Sequence, residues 1–132
     1  MQDELERALA LLGPLEQRVM RTAWTQEIAQ PFTVRDMQSR MPELAYTTVM
    51  TTLRRLADKG LLRADGSGNS RAYEYAPAGG PADFLASASE REAREVVERY
   101  GEAALAAFAA RLEELPPEQR ERLERLRQGW RY

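Results

Sequence analysis

Residues 45–62, AYTTVMTTLRRLADKGLL, decide the fold. A helix built from this stretch places Val49, Leu53 and Leu56 on one stripe, spaced by four and three residues, so that the stripe can face a core. Gly60 follows a basic last turn, and a glycine at that place commonly ends a helix. A β-hairpin pattern comes next. The order of helix, stop and hairpin predicts the recognition helix and wing of a winged helix-turn-helix.

The opposite face of this helix carries short hydroxyl groups and one arginine, which would make a poor core. It consists of Thr47, Thr48, Thr51, Arg54 and Asp58. Threonine and arginine side chains suit the DNA major groove, where they reach base edges and phosphates. We therefore assign contacts with bases and adjacent phosphates to Thr47, Thr48, Met50, Thr51 and Arg54, and we count Tyr46 among the DNA-binding residues. Two alternatives stay open, since the threonines could form a merely solvated face and Met50 either packs in the core or touches a thymine methyl group.

The predicted hairpin runs over 61–64, turns at 65–70 and returns over 71–76. Its return strand has tyrosines at period two, which is typical of a short strand. The tip is rich in Gly, Ser and Asn and has no core role, as expected for a wing tip. Arg63 and Arg71 flank the tip and are placed to contact phosphates. The alternative is an ordinary hairpin turn.

Positive charge gathers in this part of the chain, although the whole chain has a net charge of −2. Residues 44–73 hold five basic residues against two acidic ones, Asp58 and Asp65, which leaves +3. The basic residues are Arg54, Arg55, Lys59, Arg63 and Arg71. Residues 78–132 hold nine basic and eleven acidic residues, or −2, and would face away from phosphate. We assign contacts with the DNA backbone to Arg55, Arg63 and Arg71, because neutralised phosphates supply the sequence-independent part of binding.

The segments before the recognition helix predict further helices. Leucines at helical spacing predict a helical extension in residues 1–12, and an apolar stripe predicts a helix over 14–24, followed by a loop over 25–32. Thr33 opens the next helix as its N-cap, with Asp36 three residues on, which is a capping-box pattern. The N-terminal amides of the helix that starts at Thr33 are also placed to bind a phosphate.

The chain beyond residue 77 predicts a linker at 78–81 and three helices at about 82–100, 102–115 and 117–128. About 55 residues in thin amphipathic helices cannot enclose a good core alone, so their apolar faces need a partner. We assign that role to a second copy of the chain. The predicted dimer interface consists of Phe84, Val97, Tyr100, Leu105, Phe108, Leu112, Leu123 and Leu126. The alternative is packing on the N-terminal domain of the same chain.

The expected fold is therefore mainly α with a small β-hairpin wing. A helical extension (1–12) precedes a winged-helix DNA-binding domain (13–77), and the linker (78–81) leads to a three-helix dimerisation domain (82–132). No apolar run approaches the ~18 residues of a membrane span, and no charged-then-apolar leader opens the chain. We expect a cytoplasmic protein without membrane insertion.

The composition also excludes several classes of function. The chain has no Cys and no His, which excludes zinc fingers, thiolate metal sites, Cys or His nucleophiles and imidazole bases. No glycine-rich phosphate loop or paired-carboxylate motif recommends an enzyme, and we expect no cofactor. The alternative to a DNA-binding protein is a winged-helix module for protein–protein interaction, which the acidic pI of about 5.4 favours slightly.

Several segments of the sequence resemble a known family, the BlaI/MecI penicillinase repressors. Residues 12–24 (LGPLEQRVMRTAW) resemble its first helix, 32–37 (FTVRDM) its second, and 46–56 (YTTVMTTLRRL) its recognition helix. Residues 59–61 and 71–75 resemble the strand entry and the wing return of the family.

The resemblance, which covers 82–128 only by architecture, implies a homodimeric transcriptional repressor that binds an inverted-repeat operator in double-stranded DNA. It also implies relief by proteolysis, in which a membrane sensor protease or a protease downstream of it triggers a cut before a phenylalanine of the C-terminal domain. Ala107 and Phe108 occupy the similar place here, although the best-known members have Asn before the Phe. The alternative role of Phe108 is dimer core.

Overall fold

The computed structural model describes residues 2–66 and 73–129 as seven helices and one β-hairpin. The elements are α1 (Gln2–Ala10), α2 (Pro14–Trp24), α3 (Val34–Arg40), α4 (Tyr46–Asp58), β1 (Leu62–Asp65), β2 (Glu74–Pro77), α5 (Pro81–Tyr100), α6 (Glu102–Glu113) and α7 (Pro117–Gly129). The chain divides into two compact units between Ala88 and Ser89. The predicted fold class, mainly α with a hairpin wing and a helical C-terminal part, is confirmed.

The first unit closes around a core to which α4 contributes its predicted stripe. Val49, Leu53 and Leu56 are all buried, and Leu53 and Leu56 have no exposed surface. Phe32 and Met37 fill the same core. Helices α1, α2 and α3 and the hairpin supply the remaining buried side chains, which are Leu9, Leu12, Val19, Met20, Ala23, Val34, Met41, Leu61, Leu62 and Tyr75.

Local sequence signals set the ends of the helices in this unit. The hydroxyl of Thr33 accepts a hydrogen bond from the Asp36 amide at 3.1 Å, and the Asp36 carboxylate accepts one from the Thr33 amide at 2.9 Å. This is the predicted capping box. At the end of α4, Gly60 adopts φ +84°, and the Leu61 amide donates to the Leu56 carbonyl at 2.9 Å. A glycine in this left-handed conformation closes the helix by a Schellman motif.

The hairpin pairs β1 and β2 in antiparallel register, with Leu62 opposite Pro77 and Asp65 opposite Glu74. Strand β1 therefore begins one residue later than the predicted 61–64, because the Leu61 amide is used to close α4. Strand β2 begins at Glu74, whereas the predicted return strand is 71–76. Of the predicted tip, residues 67–70 lie outside the described residues, and Arg71 does too.

A third extended segment joins the hairpin inside the stretch that was predicted as a loop. Phe32 and Tyr75 exchange two backbone hydrogen bonds, of 2.9 and 2.7 Å. Their rings stack at a centroid distance of 6.3 Å. The prediction of a plain loop over 25–32 is wrong at its last residue, because a partner 43 positions away supplies the pairing.

The stretch predicted as a linker, 78–81, lies within the first unit. The Trp24 indole nitrogen donates to the Gly79 carbonyl at 2.9 Å, and the Trp24 ring packs against Phe84 with centroids 6.3 Å apart. A half-buried indole N–H normally finds an acceptor, and here the backbone of this stretch provides it. Phe84, which is predicted at the dimer interface, is thus partly buried against the core of its own unit.

The second unit consists of the end of α5 together with α6 and α7. Gly101, at φ +61°, separates the first two of these helices. Among the described residues of this unit, only Ala104 is buried. The large apolar side chains that stay exposed are Tyr100, Leu105, Phe108, Leu112 and Leu126, while Val97 and Leu123 are half-buried. Over 2–66 and 73–129, no helix combines the length and the apolar character needed to cross a membrane.

Candidate nucleic-acid interface

The outer surface of α4 is the predicted DNA-reading surface. Thr47, Thr51, Arg54, Arg55 and Asp58 are exposed, and we call this set the recognition face. Thr48 is half-buried at the edge of the set, and its carbonyl accepts a hydrogen bond from the buried Thr52 hydroxyl at 2.8 Å. Met50 is half-buried and packs against the core. Met50 therefore packs in the core with part of its side chain, and contact of the exposed part with a thymine methyl group stays a prediction.

One edge of the recognition face borders the hairpin. A crevice between α4 and the hairpin is lined by Arg54, Asp58, Tyr73 and Tyr75, together with two alanines. Burial raises the pKa of the Tyr75 phenol, nearby Arg54 lowers it, and Tyr73 and Tyr46 raise it. Tyr73, which lines this crevice with Arg54, is exposed, and Tyr46 at the start of α4 is exposed too. This edge therefore presents a cation among phenol groups.

Arg63, the predicted wing arginine that the structure describes, does not lie at that edge. Alternation along β1 puts Leu62 and Ala64 on the side of α4, and Arg63 on the other face of the hairpin. Arg63 instead lines a shallow hollow with Pro31 and Glu74. Its contact with the DNA backbone stays a prediction, and the same holds for Arg71, which lies outside the described residues.

The other edge of the recognition face borders the start of α2. Lys59, the single lysine of the chain, donates from Nζ to both carboxylate oxygens of Glu16, at 3.0 and 2.9 Å. Glu16 also accepts a hydrogen bond of 3.2 Å from the Gly13 amide. Burial raises the pKa of the Glu16 carboxyl, but the bonds from Lys59 and Gly13 and the charge of Arg55 outweigh it, so that this pKa lies below its ordinary value.

This ion pair corrects the local charge that the sequence suggests. Glu16 lies outside the counted stretch 44–73, yet it neutralises Lys59, so the +3 of that stretch falls to +2. Within residues 2–66 and 73–129, Arg54, Arg55 and Arg63 form no ion pair. The cations that the described part of the chain leaves for a polyanion are therefore arginines.

The helix N-termini near this surface differ in charge. At α3 the carboxylate of Asp36 already takes the Thr33 amide and adds a negative charge, which disfavours the phosphate contact predicted at Thr33. Helix α4 instead has Ala45 as its N-cap residue, which provides no side-chain hydrogen bond, and has no acidic residue in its first turn. Its positive dipole end is thus left uncompensated beside Tyr46 and Thr47.

Comparison with known proteins gives the assignment. The sequence profile of the penicillinase repressor family matches residues 12–128. The chain belongs to the penicillinase repressor family. Members of this family are transcriptional repressors that bind DNA, which favours the DNA-binding hypothesis over the protein-interaction module.

Two curated relatives agree with this placement. The chain is 39% identical over 112 residues to "Transcriptional regulator BlaI" of Mycobacterium tuberculosis strain CDC 1551 / Oshkosh, and equally to that of strain ATCC 25618 / H37Rv. Each match covers 70% of this chain and 76% of the relative. Helix α1 lies before the stretch that the family profile matches.

Sequence reasoning missed two residues at the edges of the recognition face. Tyr73 shares a period-two pattern with Tyr75, so its place on the α4 side of the hairpin could have been inferred from alternation. Glu16 stands three residues after Gly13, which is the spacing of a capping box. No local pattern indicates its partner Lys59, which lies 43 positions further on.

Proposed function

We propose that this protein is a homodimeric repressor that binds an inverted-repeat operator, with one α4 in the major groove of each half-site. The observation that carries the proposal is the recognition face. A buried stripe fixes α4 from behind, while the opposite side offers threonine hydroxyls and an arginine without an ion pair among the described residues. Such side chains pair with base edges in the major groove.

The chemistry of the arginine and threonine side chains assigns different DNA contacts to each. Arg54 is long enough to reach guanine O6 and N7 with two hydrogen bonds, which is the commonest specific contact. Thr47 and Thr51 add short contacts beside it. Arg55, Arg63 and Arg71 would contact phosphates, which adds affinity that does not depend on sequence.

Dimerisation is supported by the apolar surface of the second unit. Leu105, Phe108 and Leu112 recur at spacings of three and four on α6 and are all exposed, so one copy leaves this stripe in water. A second copy with the same stripe would cover it, because a twofold interface pairs identical surfaces. A dimer also matches a palindromic operator, in which two half-sites repeat with the same symmetry.

Relief by proteolysis between Ala107 and Phe108 has a structural condition. Both residues lie inside α6, and a protease takes its substrate in an extended form. The cut would therefore require local unwinding of α6, which is less costly when few side chains are buried. A membrane sensor protease, or a protease that it activates, is the partner that this route needs.

The experiment compares operator candidates with random DNA. Duplexes from the promoter upstream of the repressor's own gene and from neighbouring promoters are titrated with the full-length protein at several salt concentrations. We expect one duplex to bind at least tenfold more tightly than a random one and to take up two chains. Equal binding to all duplexes, or binding of a single chain, contradicts the proposal.

A further inference from the structure

The ion pair between Glu16 and Lys59 stands apart from the other ion pairs of the described residues. The Glu16 side chain is only 11% exposed, whereas every other paired carboxylate is at least 55% exposed. Removing a carboxylate from water is costly unless hydrogen bonds replace the lost solvation. Glu16 meets this condition with three hydrogen bonds, from Gly13 and from both contacts with Lys59.

The donors around Glu16 are of the kind that bind a DNA phosphate. A backbone amide at a helix start, an ammonium group and a guanidinium nearby all favour an anion. Here they converge on a carboxylate of the protein itself. Lys59 remains 54% exposed at its side chain, so its ammonium group is within reach of solvent and of a polyanion, yet its charge is already balanced.

The position of this pair links it to the DNA-reading surface. Lys59 follows the last residue of α4, one helical turn beyond Arg55. Arg55, Lys59, Glu16 and Gly13 line the same surface hollow. An anion bound by Lys59 in place of Glu16 would therefore lie next to the proposed backbone contact of Arg55.

We propose that Glu16 acts as an internal anion that withholds Lys59 from DNA and so limits the sequence-independent affinity of the repressor. This inference rests on the proposed function. Because competing non-specific sites far outnumber operators in a genome, a lower non-specific affinity raises the fraction of repressor that occupies its operator. Glu16 is thus a specificity-determining residue that does not touch DNA.

The decisive variant is Glu16→Gln in the full-length protein, with a random-sequence duplex titrated across salt concentrations. Glutamine keeps the acceptor for the Gly13 amide but releases the charge of Lys59. One added phosphate contact steepens the salt dependence by about 0.9 in log–log slope, so that the gain in affinity is roughly eightfold larger at 0.1 M than at 1 M salt. We expect this steeper slope and tighter binding to random DNA.

Three further variants show whether the gain comes from Lys59. Lys59→Gln alone should keep the log–log salt slope within about half of the 0.9 that one phosphate contact contributes. The double variant, Glu16→Gln with Lys59→Gln, should lose the steeper slope and the tighter binding to random DNA. Glu90→Gln is the matched control, because it also removes one negative charge and frees an arginine, Arg94, from an exposed pair of α5. It should not change the slope.

Several results would overturn the inference. One is a Glu16→Gln protein that is folded but binds random DNA no more tightly than the wild type. Another is an equal increase in affinity and slope in Glu90→Gln. The third is a salt slope in Lys59→Gln that is shallower by the contribution of one full phosphate contact. Lys59→Gln also provides the test if Glu16→Gln fails to fold, since Lys59 is half exposed. Failure of the proposed function looks different, because the wild-type protein would then bind operator candidates no more tightly than random DNA, or would bind no duplex at low salt.

Discussion

The two units of this repressor differ in how many of their apolar side chains they bury. The first unit buries fifteen hydrophobic residues in one core cluster, while the described part of the second buries only Ala104. Exposed leucines occur in both units, Leu11 in the first at 57% and Leu105 in the second at 55%. Leu11 is isolated in a turn, whereas Leu105 belongs to a repeated stripe on α6.

The difference indicates how the apolar side chains of each unit are removed from water. In the first unit, a closed core holds α4 from behind and leaves its polar face on the surface. The proposed dimer would stabilise the second unit by covering its apolar stripe, since burial of that stripe requires another surface. Single exposed apolar residues are normal, but contiguous ones mark an interface.

The largest expected effect comes from a charge placed on the stripe. In Leu105→Asp, the carboxylate would have to be buried in the dimer, so we expect a monomer by analytical ultracentrifugation. Loss of the second half-site should weaken operator binding by about 10²–10⁴-fold, the usual gain from linking two binding events.

The matched control is Leu11→Asp, which changes an equally exposed leucine of the first unit. It should stay dimeric and bind the operator as the wild type does. If both variants are dimeric, or if both dissociate, the distinction between the two units fails.

A core truncation tests the other side of the comparison. Leu53→Ala leaves a cavity behind α4, and we expect it to lower the free energy of unfolding by about 2–5 kcal/mol. Leu11→Ala should change it by less than about 0.5 kcal/mol. Urea titrations at one protein concentration measure both, and a cost at Leu53 below about 1 kcal/mol would contradict a closed core.

A smaller effect concerns the exposed surface of the first unit. In Arg54→Ala, discrimination between the operator and single-base variants should fall by about 1–3 kcal/mol at one position, as expected for a lost bidentate contact. Arg91→Ala, which removes an exposed arginine of α5, should keep full discrimination. Competition binding with a set of operator variants measures both, and an unchanged profile for Arg54→Ala removes Arg54 from base recognition.

The smallest effect is a dependence of stability on pH. The pKa of Glu16 is lowered from an ordinary value of 4.5, so the native protein favours the carboxylate more than the unfolded chain does. Its stabilisation is complete above about pH 4.5 and is lost as pH falls through the lower pKa of the folded state. Thermal unfolding between pH 3 and 7 should show a shallower acid loss of stability in Glu16→Gln than in the wild type. A Glu16→Gln curve parallel to the wild type would rule out this contribution.

Features within one turn of helix or hairpin could be predicted from the sequence. The stripe of α4, the capping box at Thr33 and the glycine at the end of α4 depend on residues a few positions apart, and the structure confirms them. Tertiary burial then agrees with local preference, which is typical of a foldable sequence.

Features that join distant residues could not be predicted. The Phe32–Tyr75 pairing, the Glu16–Lys59 ion pair and the Trp24–Gly79 hydrogen bond span 43, 43 and 55 positions. The ion pair in particular has many possible alternatives in a chain with 21 acidic and 19 basic residues. The candidate surface was thus predicted at its centre, on α4, and only partly at its edges.

Recovery of protected DNA from the genome that encodes this repressor tests the central claim most directly. The purified full-length protein is mixed with genomic fragments, and those it protects from nuclease are sequenced, with Arg54→Ala in parallel. We predict one or a few sites of dyad symmetry upstream of genes, and loss of their enrichment in Arg54→Ala. Absence of any enriched sequence at low salt, with a folded and dimeric protein, would contradict the account.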